Sequence, residues 1–277
     1  MLEDLTPNSA EFLKALGLLE EPLGMFYTDR EPADGFAPNP GHLPTIEEEG
    51  RNEVDFAAIA ENFACVIGKI WLARKKQSVA YFDRDRFGCL GGAYFLGYMP
   101  KPLESNIHYV STGIPGVLEG ERYLPSPEAT RRFYAAIAPR PAPKRFCVFK
   151  PLSRFEKDEQ PKLVIFFARP ETLSGLHQLA TFVTDDFHAV QSPFGSGCAN
   201  IVTWPLKYLH EGEFKAVVGG WDPSDRPYMK TDELTFTVPF PMYRMMLDRW
   251  GDTFLTAPAW EKSKKKIVLS RKAWKET

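Results

Sequence analysis

The sequence predicts a mixed α/β fold, with α+β as the alternative, built by tandem duplication of a β-α-β-turn-α unit around shared central sheets. Three observations carry this expectation. Short aromatic and β-branched runs alternate with segments of helical period along most of the 277 residues. Two of those strand-to-helix junctions are glycine turns holding a cysteine, FGC at 87–89 and FGSGC at 194–198. The landmarks of the two halves, Cys89 with Cys198 and Pro125 with Pro239, are separated by nearly constant offsets. The halves expected from this pattern are 1–139, with a long loop over 29–52, and 140–277, with a basic tail; one compact domain is the other arrangement the length allows.

The elements follow in order. Residues 6–19 form a first helix, with Thr6 as its N-cap, Pro7 just inside, and Phe12, Leu13, Leu16 and Leu19 on one face. PLGMFYT (22–28) is a buried strand, and the Pro-, Gly- and acid-rich stretch from Asp29 is an excursion of the kind that serves as a lid or a binding loop. Phe56, Ile59, Ala60, Phe63, Ile67, Ile70 and Trp71 recur at helical spacing within 53–76, ending in the basic turn Arg74, Lys75, Lys76 that suits the negative end of the helix dipole. VAYF (79–82) is a strand, followed by the first glycine turn and a helix. Ser126 and Pro127 mark the start of a helix over 126–137.

The second half opens with strands 145–150 and 161–168, then a helix over 171–183 and a strand over 187–191. The second glycine turn leads into a helix over 199–209 strained at Pro205, which lacks an N–H. Strands 215–221 and 233–238 and a helix over 239–250 complete the order. KSKKK (262–266) reads as a solvated basic surface run.

Composition excludes several functions. Hydrophobic residues at 44% and charged residues at 25% describe an ordinary globular chain. A formal charge of -2 and a pI near 6.3 provide no field to collect nucleic acid. The acidic, polar start does not read as a signal peptide and no uninterrupted apolar run reads as a membrane span, so a cytoplasmic location is expected. Four cysteines without a CxxC pair make neither a disulfide framework nor a zinc ribbon, and reduced thiols are the default.

Chemistry is expected at the glycine turns. A cysteine where a strand gives way to a helix meets the unpaired N–H groups of the first turn and the positive end of the dipole, which favour a thiolate or a bound anion. Gly88, Cys89, Gly91, Gly92, Gly195, Ser196, Gly197 and Cys198 are the candidate cofactor-binding residues, with Arg226 as a substrate anchor; Cys89 and Cys198 are the candidate catalytic residues. Cys89, Cys198 and His188 are the candidate metal ligands, for a metal ion or an iron–sulfur group. Each has a plainer alternative. Cysteine is a common packing residue, as expected for Cys65 on a helix face and Cys147 in a strand. His177 and His188 suit structural hydrogen bonds, and Arg226 suits a turn closed by a salt bridge. FGCLGG is not GxGxxG, FGSGCAN lacks the GK[ST] ending of a phosphate loop, and GSGC is not GxSxG.

Four stretches, ACVIGKIWLARKK (64–76), RFGCLGGAYFLG (86–97), SPFGSGCANIVTWPL (192–206) and VVGGWDPSDRPYMKTDELTFTVP (217–239), resemble the ArCR family, also called domain of unknown function 169, of bacteria and archaea. The resemblance brings no established activity. The family name alludes to cysteine-rich relatives, which implies a metal or redox role for matching cysteines. The leading expectation is a cofactor- or metal-binding, redox-linked protein with its site near Cys89 and Cys198 under the early loop. The alternatives are a non-catalytic sensor of a small anion or metabolite, and a structural subunit.

Overall fold

A computed structural model describes residues 6–18 and 20–274 of the chain. The side chain of Thr6 and the position of Leu19 lie outside the described residues. The elements, in chain order, are α1 (Thr6–Leu16), β1 (Leu23–Thr28), α2 (Ile46–Gly50), α3 (Phe56–Glu61), α4 (Val66–Lys76), β2 (Ala80–Phe82), α5 (Leu90–Phe95), α6 (Glu104–Val110), β3 (Gly113–Ile114), β4 (Leu118–Glu119), α7 (Pro127–Ile137), β5 (Phe146–Pro151), β6 (Leu163–Ala168), α8 (Pro170–Thr184), β7 (Val190–Gln191), a π turn (Ala199–Thr203) running into α9 (Trp204–His210), β8 (Ala216–Gly219), β9 (Leu234–Pro239), α10 (Phe240–Arg249) and α11 (Pro258–Trp274). The fold is mixed α/β, as the alternation of periods predicts.

One seven-stranded sheet, ordered β2-β5-β1-β6-β9-β8-β7, runs through the molecule, and among its described strands only β7 and β8 pair in parallel. Side-chain alternation divides the sheet into two buried faces. Met25, Phe149, Leu163 and Ile165 point to one, where Val66, Ile67 and Ile70 of α4, Ala93 and Phe95 of α5, and Ile201 and Val202 of the π turn pack on them. Val164, Phe166, Phe236 and Val238 point to the other, against Phe12 of α1, Leu176 and Leu179 of α8 and Tyr243 and Met246 of α10. A one-residue slip of β6 would exchange these two sets, so its burial on both faces fixes its register.

The expected tandem duplication is not shown by the sheet. β1 and β6 are antiparallel neighbours, so a two-fold relating them would stand normal to the sheet and keep corresponding helices on one face. The expected counterparts α4 and α8 lie on opposite faces. The early excursion also differs from the expectation. It is not a free lid: the chain after β1 crosses to the edge strand β2, where Phe36 pairs in parallel with Ala80. The excursion is also pinned by a capping box between Thr45 and Glu48 and by Glu49, whose carboxylate accepts from the N–H groups of Glu104 and Ser105 at the start of α6.

Other departures have local causes. The helical stretch 56–76, apolar enough by composition to span a membrane, breaks between α3 and α4, where Asn62 caps α3 and Cys65 opens α4. Arg74, read as a dipole-matching basic end, is buried between Glu233 at 2.8 Å and Glu20 at 2.6 Å and lies 3.6 Å over the Phe167 ring. Such a network is costly to break, because a lost partner leaves a buried charge uncompensated. Pro205 cannot donate to a carbonyl one turn back, and the chain accommodates it with the π turn before it. The basic run 262–266 lies on α11, a helix with no buried residue.

Candidate functional site

The two glycine turns meet on one face of the sheet. Cys89 is the N-cap of α5 and its sulfur accepts the Gly92 N–H at 3.3 Å. Cys198 lies in the first turn of the helix that continues through the π turn, and Thr203 of that turn donates to the Phe95 carbonyl at 2.8 Å, joining it to α5. Cys65 is the N-cap of α4. Three thiols at three helix starts therefore lie near one another.

The glycines serve close approach. A Cβ on Gly92 would lie 2.7 Å from Val66 Cγ2, and one on Gly88 would lie 2.2 Å from the Asn62 carbonyl. Gly91 is less crowded, its nearest foreign neighbour, the Asn106 side chain, being 3.8 Å from a Cβ there. A Cβ on Gly197 would fall 2.3 Å from Asp225 Oδ2. That glycine lets the Asp225 carboxyl rest against the helix start, close to the Gly197 N–H. The anion that a helix N-terminus favours is here supplied by the chain itself.

The thiols do not ionise easily. Burial pushes Cys65 up to about 12 and raises Cys89 and Cys198 as well, with the charge of Asp225 adding in the same direction. The depressed pKa expected from the helix dipole is thus overturned, because loss of hydration outweighs the N–H donors. Asp225 is 3% exposed, with Oδ2 unpartnered. Burial, and then the neighbouring Asp222 charge, raise it to about 7.

The candidate metal set does not assemble. His188 is exposed on the turn between α8 and β7, and His177 is exposed on α8, across the sheet from the cysteines. Among the described residues no group of three or more His, Cys, Asp and Glu is placed to hold a metal ion. Cys147 is fully buried in β5, as expected of a packing residue, whereas Cys65 is only partly buried. Arg226 closes its turn through carbonyls rather than a salt bridge: its guanidinium donates to the Glu233 and Lys230 carbonyls at 2.7 Å each, to Thr231 at 2.9 Å and to Gly220 at 3.2 Å.

Beside the thiols opens a cavity of about 460 Å³. Phe95 of α5, Phe133 and Tyr134 of α7, the turn from Ser192 to Ser196, and Trp221 to Pro223 form its walls, with Val110, Glu121 and Tyr123 closing it. No residue of 29–52 lines it, so the early loop is not its cover. Phe133 and Phe194 meet edge to face at 4.9 Å, and Trp221 Nε1 donates to Ser192 Oγ at 2.9 Å. Tyr134 and Phe95 are buried at its depth, while Tyr123, Phe194 and Trp221 remain exposed. Gly195 and Ser196 of the second glycine turn line it, and Ser196 Oγ is buried without a partner.

Its charged lining residues are Glu121 and Asp222, both acids. Burial and the Asp222 charge raise the pKa of Glu121, which also hydrogen-bonds the Tyr109 side chain. The same turn that supplies Asp222 carries Asp225, so three carboxyl groups bear on one region.

A family model described as DUF169, uncharacterised ArCR, matches residues 11–249. The chain belongs to the DUF169 family. No curated protein and no solved structure matches it. The matched span includes every residue of this DUF169 cavity and all four cysteines. Sequence reading reached the glycine turns and the Trp221–Asp222 turn but missed Glu121, Tyr123 and Phe133. The available signal was weak: exposed-type aromatics beside acids, scattered over segments that only the fold brings together.

Proposed function

We propose that this DUF169 chain binds a small organic cation, of the amine class, in the cavity between α7 and the Ser192–Ser196 turn. The observation that carries the reading is the lining itself, in which aromatic rings surround two carboxylates and, among the described residues, no basic side chain enters. Aromatic faces attract a cation by roughly 0.5–2 kcal/mol each, more as water is excluded. Burial, and then the Asp222 charge, raise the pKa of Glu121 and of Asp225, so a positive ligand relieves a repulsion already present. Unpartnered Ser196 Oγ offers a further polar contact for an amine N–H.

A small anion would face Glu121 and Asp222 here, and the N–H groups of the glycine turns already face Cys89 and Asp225. A thiol-based cofactor or redox role would draw on Cys89 and Cys198, which burial keeps as thiols. Isothermal titration with choline, putrescine and agmatine, set against neutral alcohols of the same size, tests the proposal. At least one amine should bind saturably, and Glu121→Gln or Asp222→Asn should weaken it tenfold or more. Equal binding of the neutral analogues, or unchanged affinity in both variants, would remove the cation reading.

A further inference from the structure

A second cavity, of about 550 Å³, lies on the other side of Phe95 and has the opposite electrostatic character. Arg140, Lys162, Lys207 and His210 line it, with one acid, Glu211. Glu211 is engaged by Lys207 at 2.5 Å. Arg140 and Lys162 have no ion-pair partner among the described residues, so two positive charges stand uncompensated. The neighbouring imidazole registers them: His210 is held below its usual pKa by burial and then by the charges of Arg140 and Lys162.

The wall is rigid. Pro139, Pro141 and Pro143 line it with Ala138, and Ala138 has a φ of 29°, outside the regions an L-residue readily occupies. Strain of this kind persists only where the surroundings over-determine it and is concentrated at ligand sites. Here the surroundings are visible: the Ala142 N–H donates to the Gly97 carbonyl at 2.8 Å, and Gly97, at φ 85°, leaves no room for a Cβ beside the Arg140 carbonyl, which would be 2.4 Å away.

We infer that this cavity is an anion site for a small phosphomonoester, with Arg140 and Lys162 as its counter-charges. Two uncompensated cations match the charge of roughly -1.5 to -2 that a phosphate monoester carries at pH 7. A guanidinium fork binds its oxygens in pairs, whereas a lysine acts as a point charge. A monocarboxylate would leave one cation unanswered. This site is independent of the amine cavity, and either can fail without the other.

The test is isothermal titration at fixed ionic strength with glycerol 3-phosphate, inorganic phosphate and acetate as probes. Glycerol 3-phosphate should bind saturably at one site. Inorganic phosphate should bind more weakly and acetate not at all. Arg140→Gln or Lys162→Gln should weaken phosphate binding at least tenfold, and Lys266→Gln, on exposed α11, should leave it unchanged. Arg140 and Lys162 are exposed enough for both variants to fold, and thermal melts would verify this; should one fail, the other decides. Inorganic phosphate binding as tightly as the ester would overturn the monoester assignment. Absence of saturable heat, or an affinity that survives both substitutions, would overturn the site.

Discussion

At the level of single residues, Asp225 is the most informative group in the molecule. Its carboxyl titrates near 7 in the fold against 3.8 in an unfolded chain. The native state therefore holds the proton more tightly than the unfolded state, and stability falls as pH rises from about 4 through 7. Roughly three pKa units correspond to an upper bound of about 4 kcal/mol at pH 8. Asp225→Asn keeps an acceptor near the Gly197 N–H and removes the buried charge. The expected outcome is a variant more stable than the parent at pH 8, equal to it near pH 4, with a flatter profile between; urea titrations across that range measure it. A variant less stable at pH 8 would show that the charge is compensated. The helix-start positions of Cys89 and Cys198 were legible in the sequence because strand, glycine and helix are local patterns. Their raised pKa values were not, because hydration is lost to packing from α4 and the Asp225 turn, which are distant in sequence.

At the level of elements, α4 and α5 show how glycine fixes a contact. Val66 and Gly92 approach so closely that a methyl group on Gly92 would sit 2.7 Å from Val66 Cγ2. Gly92→Ala should cost about 1–3 kcal/mol, the usual range for overpacking, offset in part by the better helix propensity of alanine. Combining it with Val66→Ala removes the clashing methyl, so the double variant should lose less than the sum of the single losses. A double-mutant cycle by denaturant titration reads the coupling directly; additivity would mean that α5 simply shifts. Most elements were legible from period and caps: Ser126 and Pro127 open α7 as expected, and β5 and β6 fall within a residue or two of their predicted ends. The duplication is not shown: two strand-turn-helix patterns look alike whichever face of the sheet receives them. The chain after β1 also crosses to the Phe36–Ala80 bridge at the sheet edge. No local pattern encodes that crossing, and with it went the reading of 29–52 as a lid.

At the level of the whole molecule, the strand order couples the two ends of the sequence. β5 begins at Phe146, beyond the boundary near residue 139 that the repeat pattern suggests, yet it lies between β2 and β1 and pairs with both. β1 in turn pairs with β6, and Glu20 and Glu233 hold Arg74 from opposite ends of the chain. A fragment of residues 1–139 would contain β1 and β2 without the strand that joins them. Met25, Ala80 and Phe82 would lose the Cys147 and Phe149 side of their core, and the exposed edges would favour association. Expressed alone, 1–139 and 140–277 should therefore lack cooperative melts, and the intact chain should unfold in one transition with circular dichroism and tryptophan fluorescence coinciding. Two separated transitions, or a folded and monomeric 1–139 fragment, would show that the halves are independent despite the shared sheet. The same continuity explains why both cavities border Phe95: α5 reaches that position from the first half, while the Ser192–Ser196 turn and α9 reach it from the second. Neither cavity survives the loss of the other half, so ligand binding by a mixture of the two fragments would require that the sheet first reassemble.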